Sequence, residues 1–142
     1  MYSLKPPLNR NPVDAAARRG QGVFEREGCD ACHTPPLYTS NKLTPVEGFD
    51  VPPDHRQRYG IITRPVGTDP ALALRTRKGT GYYKVPSLKG VWYRGPFQHA
   101  GAAATLEAWF DPARLKTTPG HAFGLKLTAS DRRALIAFLR TL

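Results

Sequence analysis

Residues 28–34, GCDACHT, hold both cysteines of the chain, Cys29 and Cys32, and set His33 directly after the second. Two thiols two residues apart, followed at once by an imidazole, are suited to three kinds of chemistry. They can add across the vinyl groups of a porphyrin, with the adjoining imidazole brought under the iron, which is the C-x-x-C-H pattern of covalent haem attachment. They can contribute to a tetrahedral zinc site, or act as a redox dithiol. Zinc needs a fourth ligand, usually from a second Cys or His pair at short spacing, and the other histidines, His55, His99 and His121, stand alone. A redox pair normally sits in a βαβ context, and no such pattern is present. The residues therefore read as a site for one haem c, attached through Cys29 and Cys32 with His33 as an iron ligand, with zinc as the alternative.

The elements that must position these groups are unevenly legible. Asn11 is placed to cap a helix with Pro12 in its first position, and Val13, Ala16, Ala17, Gly20 and Phe24 recur at helical spacing, which predicts a helix over 12–27 ended by Gly28. From Thr34 to about Val85 the chain is rich in proline and glycine and has no sustained period; such long connections are uncommon in a compact domain unless they wrap something. VPSLKGVW is a candidate short helix. TLEAWFDPARL is another, with Thr105 as cap, Glu107 in its first turn and Asp111-Pro112 closing it. The end of the chain is the clearest: Thr128 with Asp131 three residues on has the form of a capping box, and Leu135, Ile136, Phe138, Leu139 and Leu142 make one apolar stripe, predicting a helix over 129–142. With no alternating pattern of useful length, the expectation is an all-α fold, one domain over 1–142, its short helices and long loops wrapped round one prosthetic group.

Twenty-one lysines and arginines against eleven acidic residues give a formal charge of +10, which favours an acidic protein partner. The basic residues are spread along the chain and no nucleic-acid recognition motif accompanies them, so nucleic acid is not expected as a partner. No apolar run approaches the roughly 18 residues that span a bilayer. The opening MYSLKPPLNRNP lacks the apolar centre of a secretory signal, so the expectation is a mature or excised form, or a protein never exported.

GQGVFEREGCDACHT resembles the first helix and attachment motif of class I c-type cytochromes, with Gly20 and Phe24 in the family's glycine and aromatic places. YYKVPSLKGVWYRGPFQHAGAAATLEAWFDP is similar to the C-terminal haem domain of the di-haem cytochrome c peroxidase and MauG-like group. Residues from roughly 37 to 78 match neither. The resemblance implies the class I cytochrome c fold, with the first and last helices crossing at Gly20 and Phe138 packed there. It also implies residence in the periplasm, because haem c is attached outside the cytoplasm. Two departures matter: those peroxidases carry two haem motifs where this chain has one, and their axial methionine has no counterpart, since Met1 is the single methionine.

That leaves His121, in TTPGHAFGLKL, as the favoured second iron ligand, because class I cytochromes deliver theirs from the segment before the last helix. His99, in GPFQHAG, occupies the peroxidase motif's histidine position and reads as a group near the haem; His55 is the weakest candidate. Arg94 is the first choice for a haem propionate, ahead of Lys84 and Tyr83, and the Pro35 carbonyl is expected to support the His33 ring. Trp92, Trp109, Phe97 and Leu88 are candidates for the pocket wall. The leading reading is a one-electron carrier with two imidazole ligands and a low potential, not an enzyme. The alternatives are a peroxidase-like or gas-binding haem with an open distal face and His99 as acid/base, or an excised domain fused to or docking on a larger oxidoreductase.

Overall fold

The computed structural model describes residues 5–75, 79–98 and 100–142. Its first helix, α1, runs Ala15–Arg26, three residues later than the sequence pattern places it. The cap is Asp14, whose carboxylate accepts from the Ala17 N–H at 2.9 Å. Asn11 is occupied elsewhere, donating from its backbone N–H and its side-chain amide to the Asn9 amide oxygen. A 3-10 turn, Cys29–Ala31, follows Gly28.

The intervening chain folds into short pieces: strand β1 Leu43–Pro45, helix α2 Pro53–Arg58, helix α3 Ala71–Arg75 and strand β2 Tyr82–Lys84. β1 and β2 pair antiparallel with Leu43 opposite Lys84, Thr44 opposite Tyr83 and Pro45 opposite Tyr82. This overturns the all-α expectation: among the described residues the fold is 35% helical and carries a two-stranded sheet. Strands of three residues are too short to register as alternation, and their pairing rests on contacts nearly forty residues apart in sequence, such as the Thr44 hydroxyl donating to the Tyr83 carbonyl at 3.0 Å. VPSLKGVW forms turns and no helix.

Helix α4, Leu106–Trp109, is capped by Thr105, whose hydroxyl accepts from the Ala108 N–H. Asp111-Pro112 does more than close it. The Asp111 carboxylate accepts from the Ala113 N–H and starts a second 3-10 helix, Pro112–Lys116. The last helix, α5, spans Ala129–Arg140, with the Thr128 hydroxyl accepting from the Asp131 N–H at 3.1 Å. Thr128→Ala removes that acceptor and is expected to cost about 1 kcal/mol, seen as a lower urea midpoint with an unchanged slope.

α1 crosses α5 backbone to backbone. A Cβ built on Gly20 would lie 1.9 Å from the Ala134 carbonyl oxygen, so only glycine permits this approach. Around the crossing, Val23, Phe24, Leu135, Ile136, Phe138 and Leu139 are buried in one cluster. Phe24, Phe138 and Tyr38 meet edge to face with ring centres 5.4 to 6.0 Å apart, each such pair worth about 0.5–1.5 kcal/mol beyond its burial. At the rim, Asp131 of α5 receives Arg19 at 2.6 Å and Arg26 at 3.0 Å from α1. The Arg26 and Arg19 guanidiniums hold its carboxyl below the ordinary carboxylate range. Tyr38 joins this core to the chemistry of the C-x-x-C-H segment.

Candidate functional site

The 3-10 turn after α1 sets the geometry of the cysteine pair. Residues three apart eclipse in such a turn, which brings the side chains of Cys29 and Cys32 to one side. The His33 N–H donates to the Cys29 carbonyl at 2.8 Å, closing a helical turn across the cysteine pair. Both cysteines are free and half-buried. Burial pushes the Cys29 thiol up to about 11, the reverse of the electropositive surroundings that activate redox cysteines. Among the described residues no three His, Cys, Asp or Glu side chains converge on a metal-sized site, so the tetrahedral zinc alternative lacks its ligand set.

His33 is held from behind. Its Nδ1 lies 3.2 Å from the Tyr38 carbonyl and 3.1 Å from the Pro86 carbonyl. Carbonyls only accept, so Nδ1 carries the proton and Nε2 is the nitrogen with a free lone pair. Those carbonyls are presented by two chain segments joined to each other: the Thr39 hydroxyl donates to the Val85 carbonyl at 2.6 Å, the Leu88 N–H donates to the Tyr38 carbonyl, and the Ser87 hydroxyl donates to the Leu37 carbonyl. Pro35, expected to supply this support, is exposed and does not contact the ring nitrogen. The correction has a simple cause. The chain turns away after His33, and the acceptors come from segments five and fifty-three residues further on.

His121 lies beside His33, with ring centres 6.3 Å apart and planes inclined at 60°. Its own backbone takes φ 46°, the left-handed region, and its N–H donates to the Val66 carbonyl at 2.7 Å. Gly120 beside it has φ 88° and lies so close to Thr68 that a Cβ would be 2.6 Å from the Thr68 backbone. Trp109 and Phe123 flank the imidazole, both with ring centres 5.2 Å away, and Arg64 lies over Phe123 at 4.2 Å. The Nδ1 atom of His121 is buried without a hydrogen-bond partner among the described residues. Burial, and secondarily the nearby His33, lower the His121 pKa to about 4; burial also lowers that of His33, against the pull of its two carbonyls. Both rings are therefore neutral at neutral pH, the form in which imidazole binds metals.

No family model matches the chain. It is similar to the cytochrome-c peroxidase IdrP1 of Denitromonas iodatirespirans, 32% identical over 154 residues that take in 92% of this chain and 41% of that protein. It is also similar to the methylamine utilization protein MauG of Methylorubrum extorquens, 29% identical over 140 residues, 94% of this chain and 36% of that one. A crystal structure of a MauG-like protein associated with microbial copper homeostasis superposes with a TM-score of 0.56 over 92% of this chain and 47% of that chain, at 21% identity, a likeness of fold. Its relatives are cytochrome c peroxidases and MauG. The chain spans roughly two fifths of the length of these curated relatives.

The other residues singled out from the sequence fall in several places. Arg94 is exposed and donates to the Ser87 carbonyl at 2.7 Å, steadying the segment that supports His33. Trp92 and Phe97 line a cleft of about 590 Å³ with Leu106, Glu107 and Arg140, and none of Cys29, Cys32, His33 or His121 borders it. Trp109 packs on the His121 ring, and Leu88 lies against the main core. His55 is engaged by the Tyr82 hydroxyl and the Tyr59 ring. His99 lies outside the described residues. Arg114, Tyr38, Pro86 and Val66 were not legible: three act through backbone carbonyls, which every residue has, and Arg114 is one basic residue among twenty-one. No helix among the described residues is long and apolar enough to cross a membrane.

Proposed function

We propose that this chain is a haem c domain of MauG-like type, in which Cys29 and Cys32 hold the porphyrin by thioether links and His33 and His121 are the two axial ligands. The observation that carries this reading is the approach of two neutral, half-buried imidazoles to 6.3 Å between ring centres. Imidazole binds a metal through one ring nitrogen at about 2 Å, so two rings this far apart would leave room for one metal ion between them. Haem bound here supplies a one-electron ferric/ferrous couple. The chain's own contribution is to fix both rings: Tyr38 and Pro86 orient His33 by its Nδ1–H, raising its basicity, and Trp109 and Phe123 clamp His121. With imidazole in place of thioether sulfur, the potential lies below that of a His/Met site.

The role that follows is electron transfer, with the +10 charge steering encounter with an acidic partner, so that association slows as salt rises. Haem attachment places the mature protein outside the cytoplasm. Because the relatives are more than twice as long, the partner is expected to include a second redox centre, on the same polypeptide or on a docked one. His121→Ala tests the ligand assignment. The ferric spectrum is expected to change from six-coordinate low-spin to high-spin, and the reduced variant to bind carbon monoxide promptly where the parent resists it. A low-spin, unreactive His121→Ala protein sinks the assignment. Prompt carbon monoxide binding by the parent favours the open-faced, peroxidase-like reading suggested by the names of the relatives.

A further inference from the structure

Arg114 is 7% exposed and carries its charge among carbonyl oxygens. Its Nε donates to the Trp109 carbonyl at 2.8 Å, one terminal nitrogen donates to the Thr118 and Gly120 carbonyls at 3.0 and 3.1 Å, and the other donates to the His121 carbonyl at 3.0 Å. Its guanidinium also lies over the Trp109 ring at 4.3 Å, and that ring flanks His121. Among the described residues no carboxylate pairs with it. A charge withdrawn from water without a counter-ion is costly, so the arrangement is better explained by what it holds in place than by the stability it adds.

What it holds is a strained turn. A histidine at φ 46° persists only when its surroundings over-determine it. Here the His121 N–H is pinned by Val66 and its carbonyl by Arg114, while two carbonyls just before it share the same guanidinium. We propose that Arg114 is the positioning residue for His121, gripping the 118–121 backbone and the Trp109 ring so that the imidazole stays turned toward His33. Without the fork, four carbonyls lose a donor, three of them in the 118–121 turn, and the turn relaxes toward an ordinary backbone. The imidazole then leaves its place for part of the time. Lysine cannot replace it, because one ammonium can neither reach four divergent carbonyls nor stack on an indole as a planar cation does.

This inference rests on His121 being an axial ligand, and the experiment separates the two. Haem-loaded Arg114→Met, Arg114→Lys and His121→Ala proteins are compared with the parent by ferric absorption spectrum and by carbon monoxide association after reduction. Arg114→Met is expected to show a mixture of low- and high-spin haem, restored to low-spin by added imidazole. Its carbon monoxide association is expected to be faster by about tenfold or more, in proportion to the open population. Arg114→Lys should fall between, faster than the parent by about threefold on the same proportionality. A folded Arg114→Met protein with the parent's spectrum and association rate overturns the proposal. If that variant does not fold, an unchanged rate in Arg114→Lys overturns it instead. A His121→Ala protein that stays low-spin refutes the ligand reading whatever Arg114 does, whereas a high-spin His121→Ala protein beside an unaltered Arg114→Met protein refutes the positioning role alone.

Discussion

Gly20→Ala is expected to destabilise the protein by at least about 3 kcal/mol, the upper range for forcing extra atoms into a packed core. The new methyl group would lie 1.9 Å from the Ala134 carbonyl oxygen and 2.8 Å from the Phe138 Cβ, and the first of these is backbone that cannot rotate aside. α1 and α5 would have to separate, loosening Val23, Phe24, Leu135 and Phe138 together. Gly22→Ala is the control. It lies in the same helix with nothing within 4 Å of its added Cβ, so helix propensity alone acts and stabilises by roughly 0.5–1 kcal/mol. One substitution made twice, two residues apart, thus has opposite signs. Urea unfolding of both variants measures it, and equal midpoints would show that the helices do not meet at Gly20.

The two helices were legible because residues at helical spacing, and an apolar stripe with its own cap at Thr128, are local patterns, whereas their crossing at Gly20 was an expectation carried by the resemblance to class I cytochromes. The supports of the candidate site were not legible, for a physical reason. His33 is oriented by the carbonyls of Tyr38 and Pro86, and the His121 turn by the carbonyl of Val66, and a carbonyl leaves no mark in a sequence. The Pro35 expectation carried over the arrangement of class I cytochromes, whereas here the supporting acceptors come from the segments that lead into β1 and out of β2. The sheet escaped for the same reason, since each three-residue strand acquires meaning only when paired with the other. The cap of α1 shows the local version of this. Asn11 and Asp14 both have capping side chains, and the choice between them turns on Asn9, which engages Asn11.

The double variant Cys29→Ala/Cys32→Ala is expected to have the largest effect of all, because it changes what kind of complex the protein forms. With both thiols present, the haem-loaded protein should have an intact mass above the 15.7 kDa of the bare chain, and acid-acetone should extract no porphyrin. Without them, the mass should equal that of the chain and any bound haem should be extractable, held only by His33 and His121. A tether keeps its ligand at high effective concentration whatever the dilution, so stabilisation of the native protein is independent of added haem. In the double variant the same stabilisation becomes an ordinary binding equilibrium, rising as RT ln(1 + [L]/Kd), and the melting temperature should climb with haem concentration. The half-buried thiols, of which Cys29 packs at the edge of the α1–α5 core, contribute little else that alanine would not, since Cys29 is neutral and Cys32 has no ion pair among the described residues. A double variant that melts like the parent, at every haem concentration and with the same mass, would remove the covalent attachment on which the electron-carrier reading depends.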